Sequence, residues 1–97
     1  MYVRITTLRV SPENIPRVET LTRQSFLPAA QREEGFQAMI VSSSPEDRKM
    51  VVITLWESEE HMRRSRESES FQEQLSRIIT LLSGPPETIH MRVALMS

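Results

Sequence analysis

The chain has 97 residues, 12 of them basic and 13 acidic for a formal net charge of −1, and no cysteine. That length predicts one domain over residues 1–97; the mixed charges offer no cationic stripe to a phosphate backbone, which argues against nucleic acid, and the lack of cysteine removes thiol nucleophiles, disulfides and thiolate metal sites. The longest apolar runs, 51–56 and 78–82, fall far short of the ~20 residues that cross a bilayer, and MYVRITT lacks a signal peptide's apolar core, so a cytoplasmic protein with no membrane contact is expected.

Residues 2–10, YVRITTLRV, carry the β-branched content of a strand, and Ser11-Pro12 stops it with a helix N-cap and a proline at the first helical position. In the helix predicted next, Ile15, Val18, Leu21 and Ser25 or Phe26 form the apolar stripe. Pro16 falls in the tolerant first turn or so, whereas Pro28 is expected to end or kink the helix, with a short tail through Arg32. After Glu34-Gly35, FQAMIVSS over 36–43 alternates as a second strand. The polar turn SSPEDRK joins it to MVVITLW, 50–56, in an antiparallel hairpin. Ser58 caps a short helix whose first turn places Glu59 and Glu60 at the positive end of the helix dipole. Ser68 caps the next, in which Phe71, Leu75, Ile78 or Ile79, and Leu82 share a face. Gly84-Pro85-Pro86 closes it, and TIHMRVALM, 88–96, is the last strand. The order is that of an α+β, ferredoxin-like β-α-β-β-α-β fold, with an antiparallel sheet covered by helices on one side.

Alternation along the strands divides the sheet into two faces. Val3 and Ile5, with Ile89, Met91, Val93 and Leu95, are expected under the helices, leaving Arg4, His90 and Arg92 as a polar cluster on the other face. The first-strand pattern weakens towards Leu8 and Val10, as a bulge would cause. The third strand is apolar on both sides, with Val52, Thr54 and Trp56 on one and Val51, Ile53 and Leu55 on the other. A half-wet antiparallel sheet alternates more cleanly, so a second copy of the sheet is expected to cover the face away from the helices.

The segments EGF at 34–36, LWES at 55–58 and SEEHMRRSRESESF at 58–71 resemble the antibiotic biosynthesis monooxygenase family of dimeric α/β barrels, and the resemblance spans roughly residues 2–96. It implies a homodimer packed sheet to sheet, with a pocket between sheet and helices in each protomer. There, aromatic or quinol-type substrates are oxidised by molecular oxygen, often without metal or flavin, so no cofactor is expected. Members commonly carry a histidine in the short helix just before the Ser-x-x-Phe stretch. That position is Ser65 here, and the nearest histidine, His61, lies a turn earlier. The haem-degrading branch would place its tryptophan and histidine at Ser65 and Leu75 and its asparagine near Thr7, so that triad is absent. The asparagine that aromatic-oxidising members hold on the tryptophan's strand has no counterpart in Val52 to Leu55.

Within this frame Trp56 is the candidate stacking wall, although a lone tryptophan ending a buried strand is ordinarily a packing residue. Thr54, on the same face, and Ser65 join it as candidate substrate contacts. His61 or His90 is the candidate base, His61 being set among Glu57, Glu59 and Glu60 in a first turn that is usually solvated. Arg4 or Arg92 is the candidate donor to a developing oxyanion, or a member of an interfacial ion-pair set. Glu57 and His61 lack a third metal ligand. Three functions follow: a cofactor-independent monooxygenase for a small aromatic, phenolic or quinol-type substrate, a non-catalytic ligand-binding or interaction domain of the same dimeric fold, and a different enzyme of the same superfamily such as an isomerase or decarboxylase. The missing family histidine favours the second.

Overall fold

In the computed structural model, which describes all of Met1–Ser97, the strands β1 (Tyr2–Arg9), β2 (Phe36–Ser44), β3 (Lys49–Trp56) and β4 (Glu87–Arg92) form one antiparallel sheet in the order β2-β3-β1-β4. A 3₁₀ turn (Pro12–Asn14), α1 (Ile15–Leu21), a π-helical segment (Thr22–Phe26) and α2 (Leu27–Gln31) connect β1 to β2, and α3 (Glu59–Glu67) and α4 (Glu69–Ile79) connect β3 to β4. The predicted ferredoxin-like order is the observed one.

Both internal helix starts are fixed by serine caps: Ser58 Oγ accepts from the His61 amide at 3.2 Å, and Ser68 Oγ accepts from the Phe71 amide at 3.1 Å. Each satisfies an amide that the helix itself leaves without a partner. Ser11 makes no such side-chain bond, and the 3₁₀ turn precedes the α-helix proper.

Pro28 neither ends nor breaks its helix. The segment before it widens to the π register, in which the Leu27 amide bonds to the Thr22 carbonyl five residues back, and α2 continues through Gln31. A proline has no amide to give and its ring crowds the carbonyl four residues earlier, so one wider turn relieves a conflict that a regular helix would retain. The bulge lies in β2, between Phe36 and Ala38; β1 keeps an unbroken register along its length. The last strand stops at Arg92 because its partner is exhausted: Tyr2 pairs with Arg92, and beyond that the Val93 amide reaches the Met1 carbonyl.

The two faces are the reverse of the expectation in β1 and β4. Arg4, Thr6 and Leu8 face the helices beside Thr54, Val52 and Met50, their register partners. His90, paired with Arg4, and Arg92 belong to that side by alternation, whereas Val3, Ile5, Ile89 and Met91 look away from it. Leu8, Val10, Ile15, Val18, Met50 and Ile78 form an apolar cluster at one end of the helix-covered face. At the other end Arg4 and Thr54 are buried polar groups.

On α4 this geometry separates two positions that the sequence treats alike. Ile78 is buried in the cluster, whereas Leu75 is half-buried and borders a void. Ile78→Ala is expected to cost about 2–5 kcal/mol and Leu75→Ala distinctly less, as measured by urea unfolding; equal losses would place Leu75 in the core instead.

Candidate functional site

The polar end of the helix-covered face opens into a cavity between the sheet and α4. Its floor is Arg4, Thr6, Val52 and Thr54, and Phe26, Phe71 and Leu75 form much of the opposite wall. A tighter lobe continues past Arg4 to Trp56, Ser65, Glu33 and Gln74, sharing Phe26, Thr54 and Phe71 with the first. The period of two along β1 and β3 places the floor residues. The wall comes from the π-helical segment and α4, whose aromatic rings meet edge to face at 5.6 Å and 83°.

Arg4 is the centre of this arrangement, 5% exposed. Its Nη2 donates to the Met62 carbonyl at 2.6 Å and to Ser65 Oγ at 3.2 Å, while the guanidinium carbon lies 5.2 Å from the Phe71 ring centroid and 5.8 Å from that of Trp56. Two rings and a helix carbonyl thus stand in for water around a buried cation. The ion pairs of the fold are His61 with Glu34, Arg64 with Glu60 and Arg77 with Glu73, none of which involves Arg4. Burial, with the charge of Arg66 adding to it, lowers the guanidinium's pKa to about 10, still cationic at neutral pH.

Of the residues singled out in the sequence, Arg4, Thr54, Trp56 and Ser65 come together here. Trp56 Nε1 donates to Thr54 Oγ1 at 3.0 Å, and Ser65 Oγ donates to the Met62 carbonyl at 2.7 Å. The indole is 2% exposed and packs edge to face on Phe36 at 5.5 Å, so it borders the inner lobe as a packed residue.

The other three candidates lie outside both lobes. His61 Nδ1 is 2.7 Å from Ser58 Oγ and its Nε2 is 3.9 Å from Glu34. Its ring fills the space that any side chain at Gly35 would need, and Gly35 has φ +85°. This histidine locks the EGF corner to the start of α3. His90 is exposed on the edge strand, opposite Arg4 in register, with Nε2 3.1 Å from Arg66 Nη1. Partial burial lowers its pKa, and the charges of Arg66 and then Arg4 add to that against an opposing effect from Glu59. Arg92 is exposed at the end of β4, opposite Tyr2.

Phe26, Phe71 and Gln74 were not recognised as site residues from the sequence, because an apolar helix stripe reads the same over a core as over a cavity. The available signal was below the stripe: a strand position facing it, Arg4, is charged. No group of three or more His, Asp or Glu side chains is arranged to hold a metal ion, and no helix is long and apolar enough to cross a membrane.

A four-stranded antiparallel sheet under helices, with a partly apolar cavity between the layers, defines an α+β domain of ferredoxin-like type. The family model for antibiotic biosynthesis monooxygenases matches residues 1–75, and the chain belongs to that family. Solved structures share the fold at low identity. SnoaB, a cofactor-independent oxygenase from Streptomyces nogalater, superposes with a TM-score of 0.81 at 15% identity, over 98% of this chain and 94% of its own. A proposed antibiotic biosynthesis monooxygenase from Bordetella bronchiseptica gives 0.83 at 23% identity, over 97% of each chain. A conserved protein from Methanosarcina mazei Go1 gives 0.80 at 20% identity, over 95% of this chain and 92% of its own. Among curated proteins no sequence matches.

Proposed function

We propose that this single-domain chain is a cofactor-independent monooxygenase for a small aromatic, phenolic or quinol-type substrate, and that it works as a homodimer through the outer sheet face. The observation that carries the reading is the buried Arg4 cation, without a carboxylate partner, beside an aromatic-walled cavity. A phenol or enol bound there ionises more readily, because the fixed positive charge favours its anion. The electron-rich anion passes an electron to oxygen. Recombination gives a hydroperoxide that loses water, so that a ring methylene and one O₂ become a carbonyl and one water. SnoaB, of the same fold, is itself a cofactor-independent oxygenase.

Of the two histidines we assign the proton-accepting role to His90, which lies outside both lobes but is paired in register with Arg4. Arginine can only donate, so the contact with Arg66 occupies the lone pair of His90 Nε2 and leaves the proton on Nδ1 of a neutral ring; Arg66 has to leave Nε2 before that nitrogen can take the substrate's proton. The lowered pKa keeps it neutral at pH 7.

Oxygen uptake with hydroquinones and anthrone-type phenols tests the proposal. Uptake is expected, and kcat/KM should fall on the acid side, with its midpoint below the ordinary histidine value of about 6.5, since the base works unprotonated and its pKa is depressed; a second fall is expected as the Arg4 cation is lost at about 10. His90→Gln should abolish the acid limb of the profile. If no member of the panel consumes oxygen, the non-catalytic ligand-binding domain is the better account; it is favoured independently by Ser65, which fills the family's histidine position and whose hydroxyl is held by Arg4 and the Met62 carbonyl.

A further inference from the structure

Outside the cavity, the open edge of the sheet along β4 gathers positive charge. Alternation sets His90 and Arg92 on the helix side of β4, where the register pairs them with Arg4 and Tyr2. From α3, Glu59, Arg63 and Arg66 follow one another at spacings of four and three residues, so they share one side of that helix. Arg66 marks the side as the one turned to β4, because its Nη1 lies 3.1 Å from His90 Nε2. Arg63, Arg66, His90 and Arg92 are all exposed.

Little negative charge balances this edge. Two nearby arginines on the same helix pair are neutralised, Arg64 by Glu60 at 2.9 Å and Arg77 by Glu73 at 3.2 Å, whereas Arg63, Arg66 and Arg92 enter no ion pair. The carboxylate that acts here is Glu59. It raises the pKa of the Tyr2 hydroxyl and opposes the arginines at His90. Arg66 therefore directs its donor at a basic ring, in the position where a fixed cation ordinarily holds an acid. Burial, then the charges of Arg66 and Arg4, keep that ring from protonating readily.

We infer that this edge binds a phosphate group, free or carried by a small monoester, with Arg66 and Arg92 as its charged donors on either side of His90. A guanidinium presents paired N–H groups that match two oxygens of a phosphate, and a dianion neutralises both arginines together. Arg66 then turns from His90 to the anion and leaves Nε2 open. With a negative charge beside it, the imidazole holds a proton more firmly. The site does not rest on the oxygenase reading, since none of Arg63, Arg66, His90 and Arg92 lines either lobe of the cavity.

Calorimetric titration with inorganic phosphate tests the site, in a low-salt buffer at neutral pH where screening is weak. A Kd of about 1 mM or tighter is expected. Arg66→Gln and Arg92→Gln should each weaken binding roughly tenfold, and Arg66→Lys less, because lysine keeps the charge without the fork. Both positions are exposed and unpaired, so the variants should fold. Arg64→Gln removes the same charge from the same helix but from a residue already paired with Glu60, and should change Kd by less than about twofold. In NMR spectra of the two histidines, phosphate should raise the titration midpoint of His90 and leave the His61 resonances unmoved. Phenyl phosphate identifies the source. Affinity no better than that of inorganic phosphate upholds the site with the free anion as its ligand; binding about tenfold tighter upholds it with a monoester whose ring continues past Thr88 into the cavity. No binding of either probe at about 10 mM, equal weakening by Arg64→Gln, or shifts at His61 as large as those at His90 would overturn the inference.

Discussion

Ile53→Glu is expected to sediment as a monomer at micromolar concentration, where the unaltered chain is expected to sediment at twice its mass. On the face away from the helices the register aligns Ile40, Ile53, Ile5 and Ile89 in one row across all four strands, with Ala38, Leu55, Val3 and Met91 in the next. At the edges Ile40 is 57% exposed, Ile89 55% and Met91 45%. Such a surface leaves apolar area in water that a monomer has no way to cover, and a second copy would cover it with the same rows under a two-fold axis. A glutamate near the centre would lose its hydration against apolar side chains, at a cost of several kcal/mol. About 4 kcal/mol already weakens Kd roughly a thousandfold. The fold should survive, because residue 53 faces away from the core, and far-UV circular dichroism would show it. Val52→Glu is the control: Val52 borders the cavity, so that change should disturb the cavity and leave the dimer. A dimer unaffected by Ile53→Glu, or an unaltered chain that is monomeric, would remove the sheet-to-sheet assembly.

The order of elements was legible because its signals are local. Serines precede both later helices, Gly35 and the polar turn bound β2, and the apolar run of β3 ends where Ser58 caps α3. Facing was not local, and there the sequence misled. Alternation groups Val3 with Ile5 and Ile89 with Met91, and the more apolar set is ordinarily the one under the helices. Here the helix-covered set, Arg4, Thr6, Leu8 and Val10, is apolar only where the core lies and polar where the cavity begins. Its apparent phase change near Leu8 is thus the boundary between core and cavity, without a bulge. The same boundary explains the site residues. Trp56, Thr54, Ser65 and Arg4 converge because they occupy one end of one face. His61 is drawn away by its contact with Ser58 and its packing on Gly35. The π segment escaped notice since Pro28 signals a break, and only the backbone register of its neighbours shows that the break was absorbed.

Trp56→Ala is expected to be the most damaging single change in the helix-covered layer, costing about 3–5 kcal/mol. The indole is 2% exposed, meets Phe36 edge to face at 77°, bonds Thr54 and lies on one side of the Arg4 guanidinium. Truncation therefore opens a void, frees the Thr54 hydroxyl and deprives Arg4 of one of its two rings, a contact worth about 1–2 kcal/mol when desolvated. In a domain of this size each kcal/mol moves Tm by roughly 4–8 °C, so thermal unfolding followed by circular dichroism should show a fall of at least ~12 °C. Trp56→Phe keeps a ring against Phe36 and Arg4 but cannot donate to Thr54, and should lose about 1–3 kcal/mol. The ordering of the two variants is the discriminating result. If alanine and phenylalanine were equally costly, the donor to Thr54 would matter and the ring would not. If alanine lowered Tm by less than ~4 °C, the indole would not be a packed residue at all, and the floor of the inner lobe would have to be drawn elsewhere.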